Sequence, residues 1–103
     1  MKKIVFLCLV FFNHYLLAGG FVSGNDLHHA YSESPPYALG YVIGIADAYS
    51  SDSLKFLCLT PSVTKGQIND VVKKYLESNP QVRHFSASSI VWNALSEASF
   101  GCK

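Results

Sequence analysis

Apolar residues at Ile68, Val71, Val72, Tyr75 and Leu76 recur at i, i+3, i+4, i+7 and i+8, the spacing of one face of an α-helix. Thr64 precedes this stripe with Gln67 three residues later, a pattern in which each side chain satisfies the other's backbone N–H. Asn79 and Pro80 stop it. The segment is therefore bounded at both ends and apolar on one side only. A helix of this kind gains most of its stability by packing that side against other elements. The chain must supply partners for it, and the rest of the sequence supplies them as helices.

"SGNDLHHAYSES" predicts a short first helix capped by Ser23 or Asn25, with Ser34-Pro35-Pro36 ending it and starting the next. "YALGYVIGIADAYSS" predicts a second helix, with Ala38, Tyr41, Val42, Ile45 and Tyr49 on one stripe. Its other side also carries few polar groups, so it is expected to be the most buried helix. Gly40 and Gly44 each weaken a helix by about 1 kcal/mol relative to alanine. Their spacing puts both on one face, which predicts close backbone packing in the core, with dimer packing as the other possibility. "DSLKFLCLTPSV" reads as a loop or short extended piece against the core. "SASSIVWNALSEAS" predicts the last helix, capped by Ser86, with Ala87, Ile90, Val91, Ala94, Leu95 and Ala98 facing inward. The fold class is all-α: a single-domain bundle of about four short helices.

The first twenty residues have a different character. Lys2 and Lys3 precede an unbroken apolar run from Ile4 to Phe12, and Ala18 and Gly20 are spaced like a cleavage site. This is the layout of a cleavable secretory signal peptide. A spanning helix needs roughly 20 apolar residues, and Asn13, His14, Gly19 and Gly20 interrupt this run, so no stable membrane anchor is expected after cleavage. The domain is then residues 21–103. A chain that short has a marginal core. Cys8 would leave with the leader, and the remaining pair, Cys58 and Cys102, reads in an exported chain as one disulfide. Closing that loop would contribute about 4 kcal/mol; two free thiols are the alternative. Removing Lys2 and Lys3 from eight basic residues leaves six against seven acidic ones, a formal net charge of −1. No basic patch for nucleic acid is expected.

Chemistry is hard to find. "NPQVRHFSA" sets Arg83, His84 and Ser86 close together, but Ser86 is accounted for as a helix cap. His84 lacks a plausible activated nucleophile beside it. His28 and His29, being adjacent, point about 100° apart on a helix and cannot easily share a metal. No phosphate-binding glycine loop is present. No catalytic residue, metal site or cofactor is expected, and the domain reads as a binding or inhibitory module and not as an enzyme. The corner itself is expected to join two helices, with Arg83 and His84 bonded to backbone carbonyls. Its possible second role is to offer them at a dimer or partner surface. Trp92 lies off the inward stripe, seven residues after Phe85, so the two are expected to share an outer face and mark an interface. The competing reading packs Trp92 under the first helix or the Cys58 loop.

Set together, Gly24, Asn25 and Leu27, the run Gly40 to Ala48, the Cys58-Leu59 pair, the long segment Val63 to Ala87, and Ala94, Leu95 and Cys102 resemble, in order and spacing, the periplasmic immunity proteins of type VI secretion amidase toxins, the Rap/Tai immunity family. The likeness covers about 80 residues, and Val63 to Ala87 is its most specific part. The chain departs from the pattern at Tyr31 and Ala38, where family members often carry two more cysteines, and at Pro61, a proline placed one position late. Loss of both cysteines together supports Cys58–Cys102 as the surviving bridge, and the missing bridge is expected to loosen the first helix.

The resemblance implies an all-helical, often homodimeric protein of the Gram-negative periplasm. It implies a protein partner, a peptidoglycan amidase toxin, bound and occluded without a cofactor. The alternative is a small periplasmic stress or chaperone-like protein with no toxin partner. Secretion is a minor alternative to periplasmic retention.

Overall fold

The N-terminal helix begins where its caps put it. Ser23 Oγ accepts the Asp26 N–H at 3.1 Å, and the Asp26 carboxylate accepts the Ser23 N–H at 3.0 Å. This reciprocal pair opens α1, Gly24–Glu33. Ser34 separates it from α2, Pro35–Ser50, and its carbonyl accepts the N–H groups of Tyr37 and Ala38. Thr64 and Gln67 form the second capping box, at 3.1 and 2.8 Å, and open α3, Lys65–Ser78. A short 3₁₀ turn, Pro80–Val82, leads through a corner into α4, Ala87–Ala98. The computed structural model describes residues 20–50, 59–98 and 100. Residues 1–19, Cys58 and Cys102 lie outside the described residues, and with them most of the expected signal peptide and the expected disulfide.

Among the described residues the only β-type pairing is an isolated antiparallel bridge between Ser23 and Ser86. Each of the four helices packs against the other three. Their shared core is Leu27 and Ala30 from α1; Ala38, Val42 and Ala46 from α2; Ile68, Val72 and Leu76 from α3; and Ala87, Ile90, Val91, Ala94 and Leu95 from α4. The apolar stripe of α3 thus contributes three of its five residues to the core, with Val71 and Tyr75 half-buried beside them. Leu59 and Phe100 also pack against the core.

The most buried helix is α4 and not α2. Five of twelve residues of α4 are buried, against three of sixteen in α2. The inward stripe of α2 runs Ala38, Val42, Ala46, while Tyr41, Ile45 and Tyr49 lie half-buried at its flanks. Being apolar all round does not bury a helix when the described neighbours cover one side. Gly40 and Gly44 point the other way. Both are exposed, and a Cβ added at either meets nothing within 4 Å. Among the described residues, close packing at these glycines is therefore not observed. Tyr37 and Leu39 are exposed on the same helix, and the Tyr37 ring stacks on Tyr41 with centroids 6.5 Å apart.

Candidate functional site

The corner between α3 and α4 is built by its neighbours from both sides. On one side stands the C-terminus of α3, whose last carbonyls have no partner within the helix. Asn79 Nδ2 donates to the Tyr75 carbonyl at 2.9 Å. Arg83 Nε donates to the Leu76 carbonyl at 2.7 Å, and its Nη2 to the Glu77 carbonyl at 3.4 Å. A cation placed there also meets the negative end of the helix dipole. The expected bonding of Arg83 to backbone carbonyls is thus observed. His84 does something different: it lies exposed, its ring against Phe85, with centroids 4.1 Å apart.

On the other side stands the N-terminus of α1. The Gly24 N–H donates to the Phe85 carbonyl at 2.8 Å and the Asn25 N–H to the Arg83 carbonyl at 2.7 Å. The Ala87 N–H donates to the Val22 carbonyl at 2.8 Å. The first donors of α1, which no intrahelical acceptor can satisfy, are completed by the corner. The approach is so close that only glycine fits. A Cβ at position 24 would stand 2.3 Å from Ile90 Cδ1 and 2.8 and 2.9 Å from Arg83 O and Cα. Two carbonyl acceptors and a helix cap thereby hold a segment that has no regular structure of its own. Phe85, fixed in this way, remains half-exposed.

Sequence reasoning missed this contact. Asn25 is a candidate cap in the sequence and Gly24 part of the family pattern, and neither signal points to a contact with a segment about 60 residues away. Ser86 does precede α4 and accepts the Ser89 N–H, at a long 3.4 Å. Trp92 is half-buried, and its ring meets Tyr49 at the end of α2 with centroids 4.9 Å apart and planes 55° apart. Residues 51–58, which include the Cys58 loop of the competing reading, lie outside the described residues. Phe85 precedes α4, so the seven-residue count to Trp92 does not put the two on one helical face. Tyr49, Trp92, Ser89 and Asn93 line an open cavity of about 460 Å³.

A second tie anchors α1 at its other end. The Tyr31 hydroxyl donates to Asn69, reaching its backbone carbonyl at 3.2 Å and its side-chain oxygen at 3.0 Å. Burial pushes the Tyr31 hydroxyl pKa well above the tyrosine range, and the charge of Asp70 pushes it the same way. Among the described residues, no group of three or more His, Cys, Asp or Glu side chains is placed to hold a metal. Among the same residues, no helix is long and apolar enough to cross a membrane.

The family model for Rap1a immunity proteins matches residues 19–102. No curated protein and no solved structure matches the chain.

Proposed function

The chain belongs to the Rap1a immunity protein family, and from that premise we propose that it acts in the periplasm, binding and occluding a peptidoglycan amidase toxin delivered by type VI secretion. The observation that supports this reading most directly is the corner from Arg83 to Ser86. It carries an exposed aromatic pair, His84 and Phe85, on a backbone clamped by α1 and by the end of α3. Aromatic side chains held in advance lose little entropy on entering a cleft, so they suit the centre of a protein interface. Arg83 itself is engaged with helix carbonyls and supports the pair from below. Inhibition on this reading is stoichiometric. It blocks access to the toxin's catalytic groups and needs no chemistry from the immunity protein.

Export by residues 1–20 and a domain of residues 21–103 complete the proposal. Every described helix lies after Gly20. A bridge between Cys58 and Cys102 would fasten the two chain regions whose neighbours, Leu59 and Phe100, both pack on the core. Self-association is a further part of the reading. The outer side of α2 offers Gly40, Gly44, Tyr37 and Tyr41, with Asp47 the one charged residue of the helix, so a second copy would meet no strong like-charge repulsion there.

The test is binding of the purified chain from residue 21 onward to any amidase encoded beside its gene. A 1:1 complex, loss of amidase activity within it, and weakened binding by Phe85→Ala and His84→Ala are expected. Normal activity of every neighbouring toxin in the presence of excess protein would remove the proposal. The apolar outer side of α2 favours a second reading, a stress or chaperone-like protein. That reading requires dye binding to rise as pH falls from 7 to 3.

A further inference from the structure

Resting on the reading of the corner as the toxin-facing element, we infer that the first turn of α1 sets the shape in which His84 and Phe85 are offered, and that Gly24 is a positioning residue for partner binding. Gly24 is buried and faces Ile90 and the Arg83 backbone. It acts through the corner and not on the partner.

The argument is geometric. Two peptide planes bracket the backbone of His84 and Phe85: one carries the Arg83 carbonyl, the other the Phe85 carbonyl. Each carbonyl is held by an α1 amide, from Asn25 at 2.7 Å and from Gly24 at 2.8 Å. With both planes fixed, the torsions between them have little freedom, and the two Cα–Cβ bonds keep one direction. Two local turn contacts, Arg83 N–H to Pro80 O at 3.3 Å and Phe85 N–H to Val82 O at 3.0 Å, reach back along the chain and hold neither carbonyl, while the Arg83 guanidinium on the α3 carbonyls and the Ala87 N–H on Val22 O tie down the two ends of the corner. The α1 amides come from a segment about 60 residues away in sequence, so they tie the corner to the body of the domain. The Ser23 capping box fixes the direction of those amides in turn.

If the clamp opens, the binding-competent shape becomes one of several, and the apparent dissociation constant rises in proportion to the lost population. A corner that is correctly shaped in about a tenth of molecules binds about tenfold more weakly. Gly24→Ala drives a methyl group into Arg83 backbone atoms that cannot retreat without breaking the clamp. Asn25→Pro deletes the donor and puts the ring Cδ where the Arg83 carbonyl oxygen now sits, so that carbonyl must move away, in a helical first turn where proline's fixed φ is accepted.

The experiment measures dissociation constants for the neighbouring-gene amidase together with melting temperatures. The variants are Gly24→Ala, Asn25→Pro, Phe85→Ala and, as a stability-matched control, Val72→Ala in the α3 core. Amide hydrogen exchange at Phe85 and Ala87 reports the state of the corner. The expected result is a tenfold or greater loss of affinity for Gly24→Ala and Asn25→Pro with faster exchange at those amides, while Val72→Ala stays within about twofold. Should Gly24→Ala fail to fold, Asn25→Pro decides. Affinity within twofold of the parent for the α1 variants, with Phe85→Ala still weakening binding, would overturn the inference and leave the proposed function standing. Unaffected binding by Phe85→Ala would remove the corner from the interface, and the inference with it.

Discussion

Replacing Arg83 by alanine should destabilise the domain by about 2 kcal/mol, and the structure says where that figure comes from. Hydrogen bonds from a charged donor contribute about 1.5–3 kcal/mol each when well formed. The bond to the Leu76 carbonyl, at 2.7 Å, is well formed; the bond to Glu77, at 3.4 Å, is long and adds little. A positive charge at a helix C-terminus contributes roughly 0.5 kcal/mol more. Arg83 is only half-buried, which sets the first value near its lower end. Arg83→Lys keeps the charge but loses the planar fork, so it should recover only the dipole part. Urea unfolding followed by circular dichroism at 222 nm measures the effect. For a domain this small, with a slope of about 1 kcal/mol per molar urea, the midpoint should fall by about 2 M for alanine. A shift under about 0.5 M at unchanged slope would refute the reasoning. It would mean that water satisfies the α3 carbonyls as well as the guanidinium does.

Gly40→Ala and Gly44→Ala should each raise the thermal stability of the single chain by about 0.5–1 kcal/mol, because helix propensity improves and the added methyl meets nothing among the described residues; a lower melting temperature at concentrations where the protein self-associates would show that a second copy covers that face. Tyr31→Phe should cost about 1 kcal/mol at neutral pH through the lost bond to Asn69. Burial raises the folded pKa of Tyr31, so its contribution is intact below the unfolded value of about 10 and is lost as pH rises beyond it. The alkaline fall in stability between pH 10 and 12 should therefore be shallower in Tyr31→Phe, with Tyr41 and Tyr75, also raised by burial, supplying the remainder. Thr64→Ala removes one half of a capping box and should cost about 1 kcal/mol in the same urea assay.

Helix positions were legible because they depend on neighbours three or four residues away. The two capping boxes are written out as Ser23 with Asp26 and Thr64 with Gln67, although only the second has the usual Glu or Gln at its third position. The stop at Asn79 and the inward stripe of α4 were equally plain. The degree of burial was not legible. The α2 sequence is apolar on every side, so nothing local distinguishes the side that meets the other helices from the side that does not. Trp92 shows the same limit. Its place off the α4 stripe is a local fact, but the arrival of Tyr49 to cover it depends on how α2 crosses α4.

The amino-acid sequence by itself determined four helical segments, their caps and most of their inward faces, since short-range hydrogen bonding and periodic hydrophobicity settle these without reference to distant residues. Only the tertiary structure decided that the first turn of α1 would complete the corner before α4, that Gly24 would be the point of contact, and that His84 and Phe85 would stand exposed above it. Those facts join residues about 60 positions apart. No local pattern encodes such a meeting, because it follows from four helices finding the one packing that buries all their stripes together.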